Sequence, residues 1–251
     1  MYSHSAPCTA SVSVIVPAYN EEKYLQPTLL SLRSAAATLA ATSAVKTQLI
    51  VVDDGSTDAT AAIAEALADV VVAGVRGGIG TARNRGAAVA CGDLLVFIDA
   101  DTTVDPSALV AIYSEWQAGA RVGAIAPYYT SDRLLLHAHF AFWRWYARRH
   151  QMTQGVCQFI DRQLFTELGG YRSDLYMAED TDFYHRALAR LKTRGEDQRR
   201  AVIASPLISP SLRRFEHWST WRVLFWTNPW LTKCARWSRS LWRHWYDNPP
   251  R

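Results

Sequence analysis

Two hydrophobic periods take turns along the first half of the chain. Val12-Ser13-Val14-Ile15-Val16, Gln48-Leu49-Ile50-Val51-Val52, Val70-Val71-Val72 and Leu94-Leu95-Val96-Phe97-Ile98 are short, nearly continuous apolar runs. Runs rich in β-branched residues and bounded by Pro, Asp or Gly read as strands, and apolar character on both faces suits a parallel sheet covered by helices on both sides. Pro17 is expected to end the first strand, because proline has no N–H to give to a ladder. Between the runs, apolar residues return at helical spacing. Leu25, Leu29, Leu32 and Leu39 lie near one face of a helix predicted from about Glu21 to Leu39. An Ala-rich helix capped by Thr57 or Asp58 runs to about Ala68, and another runs from about Thr81 to Ala90. Such alternation predicts an α/β fold with a mostly parallel sheet and right-handed crossovers.

Past Pro106 the pattern loosens into helices over about Ser107–Ala118 and Leu134–Arg149, a strand over about Val122–Ala126, and a helix from Glu179 to about Lys192. At residue 215 the composition changes, and seven of the ten tryptophans fall beyond that point. The chain therefore divides into a domain over 1–214 and an aromatic-rich, basic helical tail over 215–251. Within the tail, Trp230, Cys234, Trp237, Leu241 and Trp245 form one helical stripe flanked by Lys233, Arg236, Arg239 and Arg243. Tryptophan beside arginine on such a stripe fits a helix lying in a membrane interface, and Phe140–Arg149 would extend that surface. A terminal helix packed on the domain, or buried in a dimer interface, fits the same stripe.

Composition narrows the function classes. At 251 residues and 49% hydrophobic, the chain can bury a substantial core. A formal net charge of +4 is too small to argue for a nucleic-acid partner, and none is expected. Cys8, Cys91, Cys157 and Cys234 have no metal-ligand spacing, so reduced thiols are expected and no zinc site. Met1–Ser11 lacks the basic flank and apolar segment of a signal peptide, and no run approaches the ~18 apolar residues of a spanning helix. The expected location is cytoplasmic, with peripheral contact to the inner face of the cell membrane through the tail.

The chemistry lies in three acidic clusters at the ends of predicted elements: Asp53/Asp54, Asp99/Asp101 and Glu179/Asp180/Asp182. In an open parallel sheet the carboxyl ends of strands converge on one crevice, so the clusters are expected to share a site. Crowded carboxylates repel one another unless a cation or protons compensate. Mg²⁺ or Mn²⁺ held by one or two carboxylates keeps positions open for substrate phosphates, which points to a phosphorylated ligand.

The motifs that carry these residues resemble the family 2 glycosyltransferases of GT-A fold. They are Val14-Ile15-Val16-Pro17-Ala18-Tyr19-Asn20-Glu21, Val51-Val52-Asp53-Asp54-Gly55-Ser56-Thr57-Asp58, Gly80-Thr81-Ala82-Arg83-Asn84-Arg85-Gly86, Phe97-Ile98-Asp99-Ala100-Asp101, and Gly169-Gly170-Tyr171 followed by Glu179-Asp180. The resemblance implies a Rossmann-like GT-A domain flanked by helices, and transfer with inversion from a nucleoside-diphosphate sugar to an acceptor hydroxyl. It implies that Pro17, Tyr19, Asn20, Glu21, Asp53 and Asp54 hold the nucleoside, with a carboxylate accepting from a uracil or guanine N–H, hence a UDP- or GDP-sugar. Gly80 and Arg83 would hold the diphosphate. Asp99 is shared between ribose and metal, and Asp101 binds Mg²⁺ or Mn²⁺, with His217 a further candidate ligand. Glu179-Asp180 is the matching acid pair, with Asp180 the general base. The acceptor is expected to be lipid-linked. A retaining GT-A transferase, or a nucleotide-sugar or lipid-binding protein without catalysis, are the alternatives.

Overall fold

The computed structural model describes residues 11–127, 129, 132–150, 155–175, 177–204, 207–213, 218–227 and 238. In chain order the elements are β1 (Val12–Ala18), α1 (Leu25–Ser43), β2 (Thr47–Asp53), α2 (Thr60–Leu67), β3 (Val70–Ala73), α3 (Ile79–Val89), β4 (Leu94–Ile98) and β5 (Thr102–Val104). They continue with α4 (Ala108–Gln117), β6 (Val122–Ile125), α5 (Leu134–His150), β7 (Cys157–Asp161), α6 (Arg162–Leu168), α7 (Glu179–Thr193), β8 (Arg200–Ile203), β9 (Ile208–Pro210) and α8 (Thr220–Trp226).

Among the described residues, seven strands form one sheet in the order β3-β2-β1-β4-β7-β6-β8, and β5 pairs with β9 in a separate ribbon. β3, β2, β1 and β4 are parallel, β7 runs antiparallel to both β4 and β6, and β8 is parallel to β6. The alternation of side chains along each strand separates two cores. Val12, Val14, Val16, Leu94, Val96 and Ile98 pack with Leu25, Leu29 and Leu32 of α1, whereas Ile15, Leu95 and Phe97 pack with Ala82 of α3 and Phe183 of α7. Leu95, Phe97 and Asp99 therefore follow one parity, which delivers Asp99 toward the α3 and α7 side of the sheet.

Pro17 does not end β1. It pairs in register with Val52, while the ladder with β4 stops at Ile15, so at Pro17 only one neighbouring strand remains and the missing donor breaks no second ladder. The segment Glu21–Tyr24, expected to be helical, is a turn in which Glu21 O accepts from the N–H groups of Tyr24 and Leu25. The short elements that were not anticipated include α6, whose N-terminus is capped by Asp161 Oδ1 accepting from the N–H groups of Gln163 and Leu164, the strand β8 and the β5–β9 ribbon. Cys91 is disulfide-bonded, against the expectation of a reduced thiol, and Cys157 is free and buried.

In the described part of the tail, Trp218 and Val223 are buried against Leu136 and Phe140 of α5. Among the described residues no helix is long and apolar enough to cross a membrane. The stripe from Trp230 to Trp245 lies outside the described residues.

Candidate active site

Close approach of α3 to the sheet fixes the centre of the site. A methyl group on Gly86 would lie 2.4 Å from Ile15 Cγ2 and 2.9 Å from Val52 Cγ2, so only glycine lets the helix settle this near. One turn earlier, Arg83 is 1% exposed although charged, and it is the largest fully buried side chain among the described residues. Its Nη1 donates to Glu179 Oε1 (2.9 Å), and its Nη2 donates to Asp99 Oδ1 (2.9 Å) and to Gly155 O (3.1 Å). The guanidinium also lies 5.1 Å from the centre of the Tyr171 ring. Two of the three predicted acidic clusters thus meet on one arginine. The guanidinium expected to serve a diphosphate is occupied by protein carboxylates in this state.

One guanidinium facing two carboxylates, Glu179 buried and Asp99 partly so, leaves a negative excess, and the carboxyls respond. Burial, the nearby carboxylates of Asp101 and Glu179, and only partial relief from Arg83 push Asp99 up to about 7. Burial and the adjoining Asp180 likewise push Glu179 up to about 6.

Asp180 occupies the first turn of α7, where Ala178 adopts a left-handed φ of 60° to start the helix. Its Cβ and Oδ2 stand against the bare Cα of Gly155, since a methyl group there would lie 2.6 Å from each. Asp180 O accepts from Gln158 Nε2 (3.2 Å), and Gln158 Oε1 accepts from the Tyr171 hydroxyl (3.0 Å). Tyr171 is in turn fixed by Asn84, whose amide bonds the Tyr171 N–H and carbonyl, both at 2.8 Å. Asn84 and Gln158 were missed in the sequence. Asn84 stands inside a quoted motif, but its partner is in another one. Asp182 pairs with Arg186 (2.9 Å) one turn along α7.

The turn after β1 and the loop after β2 interlock. Asn20, at φ 53°, accepts the Thr57 N–H on Oδ1 (2.8 Å) and donates its own N–H to Ser56 Oγ (3.0 Å), and Glu21 N donates to Thr60 Oγ1 (2.8 Å). Asp53 Oδ1 accepts from Ser56 N (3.0 Å). Asp54 spends both carboxylate oxygens on the glycine loop, accepting from Gly77 N and Gly78 N (2.8 Å each), and it also accepts from Arg85 Nη1 (3.2 Å). It organises the loop that opens α3. Gly80, in the first turn of α3, sits against Arg172 O, 3.1 Å from where its Cβ would be. The Tyr19 ring carries the Arg76 guanidinium 3.3 Å from its centre.

Asp101 Oδ2 lies 3.1 Å from Arg213 Nη2, and Arg213 also grips both oxygens of the Glu21 carboxylate. Arg213 was not singled out in the sequence. The β5–β9 pairing carries it to Asp101, with Ser211 N donating to Asp101 O (2.9 Å). His217 lies outside the described residues. Among the described residues there is no group of three or more His, Cys, Asp or Glu able to hold a metal. Asp99 and Asp101 offer two hard oxygen ligands, a set that suits Mg²⁺ or Mn²⁺ when phosphate and water complete the shell. A depression lined by Asp93, Trp116, Asp161 and Arg162 lies at the opposite end of β4 from Asp99 and takes no part.

Comparison with known proteins gives a consistent picture. The family described as Glycosyl transferase family 2 matches residues 13–176. A dolichol-phosphate mannosyltransferase of Mycosarcoma maydis is 32% identical over 114 residues, 43% of this chain and 39% of that protein. The mannosyltransferase PcManGT of Pyrobaculum calidifontis, solved with GDP-Man and Mn²⁺, superposes with a TM-score of 0.63 at 20% identity, covering 86% of this chain and 61% of that one. TarS 1–349 of S. aureus, solved with UDP-GlcNAc, superposes with a TM-score of 0.59 at 22% identity over 79% of this chain and 58% of that one. These structures share the GT-A arrangement of a mostly parallel sheet flanked by helices. In each case the chain spans less than two thirds of the protein it matches.

Proposed function

Because the chain belongs to glycosyl transferase family 2, we propose that it moves a sugar from a nucleoside-diphosphate sugar to an acceptor hydroxyl, inverting the anomeric carbon. The observation that carries this reading is the Arg83 junction, which gathers Asp99, Glu179 and Gly155 beside Asp180 at the carboxyl end of β4. The nucleoside lies against the turn Pro17–Glu21, with Tyr19 offering a ring and Asp53 an acceptor for a base N–H. The glycine loop held by Asp54 and the amino end of α3 receive the diphosphate, where main-chain N–H groups and the helix dipole favour negative charge. Solved neighbours that hold UDP-GlcNAc and GDP-Man support a UDP- or GDP-sugar donor.

Asp101 and Asp99 would hold Mg²⁺ or Mn²⁺, with His217 a further ligand; the cation supplies positive charge to the departing nucleoside diphosphate. Asp180 takes the acceptor hydroxyl proton as that oxygen bonds the anomeric carbon and the bond from the carbon to the phosphate oxygen breaks. Glu179, tied to Arg83, holds the first turn of α7 so that Asp180 keeps its aim. The buried link Asn84–Tyr171–Gln158 steadies the same turn from the other side.

A lipid-linked acceptor at a membrane surface extends this reading. Leu134, Leu135, Phe142 and Trp145 of α5 and Trp221 and Phe225 of α8 are between 51% and 82% exposed. No acidic residue occurs from Arg133 to His150. An apolar, basic face of this kind fits anionic headgroups.

The test is a screen of nucleotide sugars with Mn²⁺, Mg²⁺ or chelator, read by release of nucleoside diphosphate, with the product anomer assigned by NMR. Release from a UDP- or GDP-sugar that needs metal and is lost in Asp101→Asn and Asp180→Asn upholds the reading. A product of retained configuration moves it to the retaining class, and absence of release from every donor overturns it.

A further inference from the structure

Arg213 is 7% exposed, and its Nε is a buried donor without a hydrogen-bond partner among the described residues. Its terminal nitrogens bind two carboxylates from distant parts of the chain. Nη1 and Nη2 take both oxygens of Glu21, in the turn after β1, and Nη2 reaches Asp101 Oδ2 at 3.1 Å. The guanidinium also lies 4.6 Å from the centre of the Tyr24 ring. A buried cation thus stands on the carboxylate expected to be the metal ligand, while a second carboxylate neutralises that cation from the other side.

We propose that Arg213 is a built-in competitor for the divalent cation at Asp101, and that Glu21 sets how strongly it competes. This rests on the reading of Asp101 as a metal ligand. In the metal-free protein, Asp101 and Glu21 together keep the buried Arg213 guanidinium from standing unpaired, which would be costly, and the partly buried Asp101 carboxylate is satisfied in return. A cation arriving at Asp101 has to displace that contact or share the carboxylate with a positive charge a few ångströms away, and both lower its affinity. Glu21 draws the guanidinium toward itself in a two-toothed pair and so lightens its hold on Asp101. Because Glu21 belongs to the turn proposed to face the nucleoside, metal occupancy and the donor turn are joined through one side chain. Arg213 acts here as a positioning residue and makes no contact with reacting atoms.

The two ends of this triad have opposite predicted effects, which separates competition from a merely structural role. Mn²⁺ affinity is measured without donor, by electron paramagnetic resonance or calorimetry, in the full chain and in Arg213→Met, Glu21→Gln and Asp101→Asn. Arg213→Met should bind Mn²⁺ about tenfold more tightly, because a positive charge beside the ligand is gone. Glu21→Gln should bind it several-fold more weakly, since the uncompensated guanidinium then falls wholly on Asp101. Unchanged or weaker binding in Arg213→Met, or tighter binding in Glu21→Gln, overturns the proposal. If Arg213→Met does not fold, the direction of the Glu21→Gln change decides alone. Failure of the underlying reading looks different: the unaltered chain then binds no Mn²⁺, or Asp101→Asn binds it equally well, and the inference falls with it.

Discussion

Asn84 and Tyr171, 87 residues apart, are joined by two hydrogen bonds of 2.8 Å, the Asn84 amide donating to Tyr171 O and its carbonyl accepting from Tyr171 N. The contact welds α3 to the Gly169-Gly170-Tyr171 turn, and Gly170, at φ 73°, leaves no room for a Cβ beside Asn84 Oδ1. Replacing Asn84 with Ala strands two main-chain groups of a residue only 2% exposed. The expected loss is about 3 kcal/mol of stability, from roughly 1–3 kcal/mol for each unsatisfied group. Denaturant unfolding measures it. Transfer rate should fall as well, because Tyr171 leads through Gln158 to Asp180.

The parallel half of the fold was legible because its strands are continuous apolar runs that need no distant partner to be recognised. Which way Asp99 points was not read there; it follows from side-chain parity only once the two cores are seen. What escaped was set by long-range pairing. The antiparallel direction of β7 is decided by neighbours β4 and β6, and the three-residue strands β5 and β9 are too short to show a period. Arg213 is 192 residues from Glu21, and no local pattern announces that contact. Of the three acidic clusters expected to share a crevice, those of Asp99 and Glu179 meet on Arg83, and the burial of that arginine on its carboxylates was not foreseen, since charge alone suggests solvent or phosphate.

Glu179 makes stability fall with pH over a defined window. Burial foremost, with Asp180 adding, raises it from 4.5 to about 6. A carboxyl with a higher folded than unfolded value binds more protons when folded, so its contribution is fully present below about 4.5 and is lost as pH rises through about 6. The Glu179→Gln variant carries no such group, and its stability should be flatter between those limits. Thermal melts of both proteins in the absence of metal, taken across the window, read the difference directly. An equal slope in the two proteins would assign the pH dependence elsewhere.

Gly155 is expected to govern rate more than donor binding. Adding a methyl group places carbon 2.6 Å from Asp180 Cβ and Oδ2, inside van der Waals contact with both. The neighbour that must move is the proposed base, and displacements near 1 Å in such groups can cost about 100-fold in rate. Gly155→Ala should therefore lower kcat by about tenfold to 100-fold while the KM for donor changes little. Steady-state kinetics with varied donor separates the two. A rise in donor KM at constant kcat would remove Asp180 from the base role argued here.

The exposed aromatic face of α5 and α8 makes a prediction that does not depend on catalysis. Trp145 and Trp221 are 60% and 76% exposed, and Phe142 and Phe225 stand beside them in the same two helices. Tryptophan bodies gain most where an apolar surface meets polar headgroups, and Arg149, exposed on α5, supplies attraction to anionic lipid. The double variant Trp145→Ser, Trp221→Ser should partition into vesicles containing phosphatidylserine at least about fivefold more weakly, given the apolar area each ring would bury. Raised salt should weaken the parent chain on anionic vesicles, because the arginine contribution is screened within about 10 Å at 0.1 M. Release of nucleoside diphosphate with a soluble acceptor should be unchanged in the double variant, since neither tryptophan touches Asp99, Asp101 or Asp180. Co-sedimentation on anionic and neutral vesicles measures the first two effects. Equal binding by parent and variant would show that this face is covered by protein instead of lipid.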